Sequence, residues 1–349
     1  MKVSRKASAA VAVAVAGLAA LAVAGGVFAA GDSAKQAGVK VAIVADTGSL
    51  NDKGFNTLAV QGLRKAEKDL GVEGRVYPTP TAADRTPNLQ AAAQAGYGLT
   101  VANGVLFTFG PLNTVAPAFP DTKFLGIDVN LPDVEGQPKN IRGVQFREQE
   151  AGCLVGNIAA LEIKRQGKRV ISAIGANKVT AIVRFFAGYN YCAKRAYPRV
   201  KILSNYAGDP TFNDQTKCRT TALSQIARGS RIIFTVAGGC GLGALDLVKQ
   251  RGLYGIGVDA DQSFLGPHIL TSATKKVNVA VYNAIAEYVK DPAGFKTGYN
   301  QNYSIRNGGV GYGKLSPKLP KAVQKQYTAS TNALAKLIAS GKVKVPSGE

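Results

Sequence analysis

Asp46-Thr47-Gly48-Ser49 spells the active-site signature of pepsin-like aspartic proteases. That chemistry needs two carboxylates sharing one proton, each delivered by its own Asp-Thr/Ser-Gly loop. The chain holds no second copy, so this Asp has no catalytic partner. A calcium-dependent nucleoside hydrolase would gather several aspartates after its first strand. Here Asp46 and Asp52 stand without an adjacent Asp pair, too few ligands for a Ca2+ cage. "AGGCGLGA", with Asp259 downstream, matches the spacing of a dinucleotide fingerprint. It lies in the last third of the chain, and small residues recur wherever a ligand approaches backbone N–H groups. His268 is the single histidine and sits in "FLGPHIL", which leaves no ordinary zinc site and no His-based triad except through that one ring. No catalytic residue, metal or cofactor is therefore expected.

Other residues suit binding without covalent chemistry. Phe55 follows Asp52 in a Gly-containing turn with Asn56 beside it, and Phe185 is expected in an equivalent place further along. Each ring alone is accounted for by capping a core. Paired across a cleft, the two would stack on a planar heterocycle while carboxylate and amide read its edge. Asp259 and Lys275 suit vicinal hydroxyls, the carboxylate accepting O–H bonds and the ammonium offsetting buried negative charge.

The elements that position these residues alternate regularly. "VKVAIVA" reads as a buried strand, and "FNTLAVQGLRKAEKDLG" carries apolar residues at helical spacing with Gly71 as a stop. "GVLFTFG" and "TKFLGID" read as strands around a short helix "NTVAPAFP". After residue 140 the pattern restarts with strand "IRGVQF" and helix "REQEAGCLVGNIAALEIKRQG". It continues through strands "KRVISAIG", "VKILSNY", "RIIFTVAG" and "LYGIGVDAD". Strands alternating with helices mean parallel sheets flanked by helices, here an α/β chain of two doubly wound lobes. Ligands bind beyond the carboxyl ends of such strands. The candidates are thus Asp46, Asp52, Phe55 and Asn56; Gly110 and Asn113; Asp128; Phe185; Ala237 and Gly238; and Asp259 and Lys275.

The 349 residues suffice for two lobes, and 46% hydrophobic with 19% charged residues is an ordinary globular mix. Lys2, Arg5 and Lys6 precede an Ala/Val/Leu run ending "GGVFAAGDS", which reads as a signal peptide over residues 1–29, with an uncleaved anchor as the alternative. A linker follows over 30–38. No Cys precedes Cys153, so attachment through a lipid-anchor cysteine is not expected. Cys153, Cys192, Cys218 and Cys240 would meet an oxidising compartment. They permit three pairings; Cys153–Cys192 with Cys218–Cys240 is favoured, and four free buried thiols are the alternative. The formal charge of +21 is spread over helix ends and tails without interleaved aromatics, so a basic solvated surface near an anionic envelope is expected rather than a nucleic-acid partner.

The stretches "VAIVADTGSLNDKGFN", "KFLGIDVN", "NIRGVQFREQEAGCLVGNIAAL", "VRFFAGY", "FTVAGGCGLG", "GIGVDADQS" and "ILTSATKKVNVAV" together resemble the basic membrane protein family. Its members are solute receptors of ABC importers with the periplasmic-binding-protein type I fold, purine nucleoside receptors among them. The resemblance spans about residues 39–312. It implies a nucleoside enclosed between lobes, with Asp46 and Phe55 at the base and Asp259 and Lys275 at the ribose; a sugar or other small solute in the same fold is the alternative. In place of a common Gly-aromatic turn with an acidic residue stands "GPLNTV", which makes Asn113 the expected ring contact. It further implies a monomeric exported receptor serving a permease in the cytoplasmic membrane. The expected lobes are 39–130 plus 266–298 and 131–265 plus 299–349, joined by a three-strand hinge.

Overall fold

The structure is a computed structural model that describes residues 38–349; the expected signal segment lies outside the described residues. The first lobe opens with β1 (Lys40–Ala45), α1 (Phe55–Leu70), β2 (Glu73–Tyr77), α2 (Arg85–Gln94) and β3 (Leu99–Asn103). It continues with α3 (Pro111–Ala118), β4 (Lys123–Ile127) and β5 (Ile141–Phe146). The chain then crosses into α4 (Glu148–Arg165), β6 (Val170–Gly175), α5 (Thr180–Ala196), β7 (Lys201–Tyr206) and α6 (Gln215–Ala227). There follow β8 (Ile232–Val236), α7 (Gly238–Gln250), β9 (Tyr254–Asp259) and β10 (Ile269–Lys275). It crosses back for α8 (Val277–Lys290) and β11 (Tyr299–Tyr303), then returns for β12 (Val310–Tyr312) and α9 (Lys321–Ala339).

The first sheet has the order β11-β5-β4-β3-β1-β2 and is wholly parallel. The second has the order β12-β10-β9-β8-β6-β7, with only β12 antiparallel. Strand alternation splits the core as a period of two requires. Val41 and Ile43 pack with Leu58 and Leu63 of α1 and with Val281 of α8, while Ala42 and Val44 pack with Leu89 of α2 and Val115 of α3. Among the described residues no helix is long and apolar enough to cross a membrane.

Three chain passages join the lobes, after Phe146, after Lys275 and after Tyr303. This relocates the expected boundaries. β5 and β11 belong to the first sheet, and β10 to the second. The restart of the pattern near residue 140 does not coincide with the start of the second lobe, since β5 still pairs with β4. Hydrophobicity marks β5 as buried on both faces, but it does not say which sheet edge a strand joins. A second shift concerns β3, which is "LTVAN" rather than "GVLFTFG"; Val105–Phe107 form a 3-10 turn beyond the strand.

α4 and α5 lie close enough that a Cβ on Gly152 would collide with Phe185 backbone, and one on Gly188 with Gln149 backbone. Cys153 and Cys192 bridge the same two helices, Cα atoms 4.9 Å apart. Cys218 and Cys240 bridge α6 and α7 at 5.5 Å. The favoured pairing is the one observed.

Candidate functional site

In both sheets the strand order reverses, between β1 and β3 and between β6 and β8, and these reversals open onto one cavity between the lobes. Its free volume is about 100 Å³, within about 680 Å³ of space between atoms that includes its open mouth. Gln262 Nε2 donates across the cleft to the Lys53 carbonyl at 3.1 Å, so the lobes are closed on it.

The first-lobe wall is polar. Asp46 follows β1, and its Oδ1 accepts from Arg85 Nε at 2.6 Å and from the Thr47 amide at 2.7 Å. Burial pushes the Asp46 carboxyl above its ordinary range, with Arg85 and Thr47 opposing. Its Oδ2 lies against Gly104, which has φ +147 and no room for a Cβ, so only glycine fits after β3. Asp52 organises the next turn: Oδ1 accepts from the Gly54 and Thr57 amides, and Oδ2 accepts from the Asn56 amide. Asn56 donates to the Asp46 and Ser49 carbonyls and accepts from Asn103. Both line the cavity, yet most of their hydrogen-bonding capacity shapes the loop that presents Phe55.

The second-lobe wall is apolar, built from Val179, Ile182, Phe185, Phe212, Val236 and Ala237. Phe185 is 1% exposed and stands edge-on to Phe234, with ring centroids 6.0 Å apart. The counterpart of Phe55 is instead Phe212. Asp52-Lys53-Gly54-Phe55-Asn56 and Asp209-Pro210-Thr211-Phe212-Asn213 share the pattern Asp-Xaa-Xaa-Phe-Asn. Asp209 accepts from the Thr211, Asn213 and Asp214 amides as Asp52 does in its own turn. That repeat is legible in the sequence itself. The glycines of "AGGCGLGA" are likewise accounted for. Gly239 abuts the Asn213 side chain, and Gly243 abuts Gln215 backbone.

At the floor, Lys275 Nζ donates to Asp128 Oδ2 at 2.6 Å and to Glu148 Oε1 at 2.9 Å, and lies 5.1 Å from the Phe55 ring centroid. Asp128 just after β4 and Asp259 at the end of β9 have φ 63° and 61°, a left-handed conformation that Asp tolerates better than most side chains. Burial lowers the affinity of Lys275 for its proton, but Asp128, Glu148 and Asp259 outweigh this and hold it protonated. Burial pushes Asp259 up to about 7, against the pull of Lys275 and with the help of neighbouring carboxylates. Burial also raises Glu148, against Lys275. Asp128 Oδ1 and Glu148 Oε2 are buried without a hydrogen-bond partner.

Of the expected residues, Asp46, Asp52, Phe55, Asn56, Asp128, Phe185, Ala237, Gly238, Asp259 and Lys275 converge on this cavity. Gly110 and Asn113 do not. Because β3 ends at Asn103, the residues that reach the cavity after it are Gly104, Val105 and Leu106. Gly110 starts α3, and Asn113 bonds to Glu135 at the surface. Sequence reasoning also missed Arg85 and Glu148, whose partners are set by tertiary structure alone. Among the described residues no group of three or more His, Cys, Asp or Glu is placed to hold a metal ion.

Two doubly wound lobes shut on a cavity at their strand ends define a solute-binding protein. Residues 39–349 match the family described as Bmp, ABC transporter substrate-binding protein PnrA-like, and the chain belongs to that family. It is 31% identical to the ABC transporter nucleoside-binding protein BmpA of Lactococcus lactis, over 88% of this chain and 89% of the relative. It is 35% identical to an uncharacterized lipoprotein of Pyrococcus furiosus, over 79% and 70%. Among solved structures, a solute-binding protein of an Aeropyrum pernix ABC transporter system superposes with TM-score 0.76 at 28% identity, covering 88% of this chain and 94% of that one. The Pyrococcus name runs against the expected absence of a lipid anchor, while no Cys precedes Cys153 in the present sequence.

Proposed function

We propose that this chain is the extracytoplasmic receptor of an ABC importer and takes a purine nucleoside, or a closely similar nucleoside, between its lobes. The observation that carries the reading is the pair of matched turns presenting Phe55 and Phe212 to one cavity from opposite lobes. Two aromatic faces suit a planar base. Asp259, Asp128 Oδ1 and the Lys275 ammonium suit ribose hydroxyls, and Asp46 suits a donor on the base edge. The Lactococcus relative, named for nucleoside binding, supports the same assignment. The receptor works as a monomer, exported and held near the cytoplasmic membrane. Closure on the ligand makes the surface that a permease reads, and reopening releases the solute. No residue is asked to form or break a covalent bond.

Calorimetry with inosine, guanosine, adenosine, cytidine and free ribose tests this. Tight one-to-one binding of purine nucleosides, with thermal stabilisation and no release of free base, is expected. Turnover to free base, or binding of a sugar in preference to every nucleoside, would overturn it.

A further inference from the structure

The positive charge belongs to one lobe. Residues 38–146 and 276–303 hold thirteen Lys and Arg against twelve Asp and Glu, whereas residues 147–275 and 304–349 hold twenty-six against nine. Parallel topology sorts this excess further. In such a sheet every strand starts, and every flanking helix ends, at the edge opposite the ligand. At that edge of the second lobe the turns into four of the five parallel strands are basic, the turn into β10 being the exception: Lys168 and Arg169 before β6, Arg199 and Lys201 at β7, Arg231 before β8, and Arg251 before β9. The last turns of α4, α5 and α7 add further cations. Cations favour helix carboxyl ends generally, but strand starts have no such reason. The matching edge of the first lobe interleaves acids, with Glu67 and Asp69 around Lys68, Asp121 before Lys123 and Asp291 after Lys290.

The basic edge is exposed and unpaired. All these turn cations are solvent-facing. Among the described residues the only ion pair at this edge joins Arg165 to the buried Glu162. None of the turn cations lines the cleft or any of three other cavities among the described residues, and no exposed large apolar side chain falls in these turns. A broad charged edge without groove or aromatic ring fits a diffuse anionic plane better than a peptide or a stacked base.

We infer that the strand-start edge of the second lobe docks electrostatically on an anionic phospholipid surface. Contact through one rigid lobe, on the side away from the cleft, leaves closure and the cavity free. The charge is present whatever the cavity holds, so this inference stands apart from the nucleoside reading.

Sedimentation with vesicles of phosphatidylglycerol and phosphatidylcholine in equal parts, and of phosphatidylcholine alone, tests it without any cleft ligand. The protein should partition onto the anionic vesicles only, and should be released as salt rises from about 0.1 M to about 1 M, where screening shortens to about 3 Å. Joint substitution Lys168→Glu, Arg169→Glu, Arg199→Glu and Lys201→Glu should lower the partition by about tenfold or more. The same four positions changed to Gln give a smaller loss, guarding against misfolding, and circular dichroism checks both variants. Reversal of Lys40, Lys68, Lys139 and Lys296 on the first lobe should leave most binding intact. Equal loss from both sets would overturn the inference, as would equal sedimentation with neutral vesicles. Binding to duplex DNA without binding to vesicles would replace the lipid by a soluble polyanion.

Discussion

The two Asp-Xaa-Xaa-Phe-Asn turns use one device on two different walls. In each, a carboxylate gathers three backbone amides of the loop and fixes the Phe that follows. Around Phe55 the cavity continues into Asp46, Asp52, Asn56 and Asp128, whereas around Phe212 it continues into Val179, Ile182, Val236 and Ala237. The shared turn gives each lobe an aromatic platform. The difference makes the first-lobe wall polar and the second-lobe wall around Phe212 apolar, with Asp259 of β9 a polar exception on the second lobe. Lys275 belongs to neither wall alone: it ends β10 of the second sheet, reaches Asp128 of the first lobe, and starts the passage to α8.

The largest expected effect follows from that position. Lys275→Met leaves Asp128 without its buried cation and Glu148 with only the more distant Arg184, at 3.7 Å. Removing one partner of a buried ion pair costs about 3–5 kcal/mol, so the melting temperature should fall steeply and nucleoside binding should vanish. A variant that melts and binds like the native protein would show that the floor is not held electrostatically.

Next, three phenylalanines separate platform from core. Phe185→Ala empties a fully packed site and should cost about 3–5 kcal/mol of stability. Phe55→Ala and Phe212→Ala should spare stability but weaken nucleoside binding by about tenfold or more, each platform being worth about 1–3 kcal/mol. Calorimetry beside thermal melts decides it. If Phe212→Ala binds normally and Phe185→Ala folds but does not bind, the turn comparison fails and Phe185 is the second platform.

Why the sequence pointed to Phe185 is instructive. Strand and helix periodicity made two α/β lobes legible, and strand ends led to most of the cavity. Three things were not available from periodicity. The end of β3 is masked because "LTVANGVLFTFG" is apolar on both sides of Asn103, so only the paired register with β1 and β4 stops the strand there. Sheet membership of β5 and β10 depends on which edge each strand joins. The roles of Arg85 and Glu148 depend on contacts between residues 39 and 127 positions apart. Phe212 differs from these, because the five-residue repeat that marks it is written plainly in the chain.

pH sharpens the comparison through two aspartates. Asp259, raised to about 7 by burial, prefers its proton in the folded state. Its stabilising contribution is complete below the ordinary carboxylate value of 3.8 and is lost as pH rises through about 7. Asp46 and Glu148, also raised, act in the same direction. Asp209 is opposite: burial raises it, but Thr211 and the loop amides outweigh burial and lower it, so its contribution is lost on acidification. Burial lowers His268, which acts in the opposite direction below its ordinary 6.5. Above that range ligand-free protein should therefore melt at lower temperature at about pH 8 than at about pH 7. Asp259→Asn should flatten that slope. An unchanged slope would mean that another group carries it.

The smallest effect is expected at Asn113, and it tests where the first-lobe wall ends. The turn "GPLNTV" invites a ring contact, but its Gly110 caps α3 and its Asn113 amide donates to Glu135 at 3.1 Å on the exposed side. Gly104, Val105 and Leu106 fill the place after β3 instead. Asn113→Ala should change both stability and nucleoside affinity by no more than about 0.5 kcal/mol, as surface substitutions do. Val105→Asp, which puts a charge into the same wall, should weaken binding clearly more. If Asn113→Ala weakens binding by about tenfold while Val105→Asp does not, the wall extends to α3, and the polar lobe reads its ligand through a side chain that the closed cavity does not include.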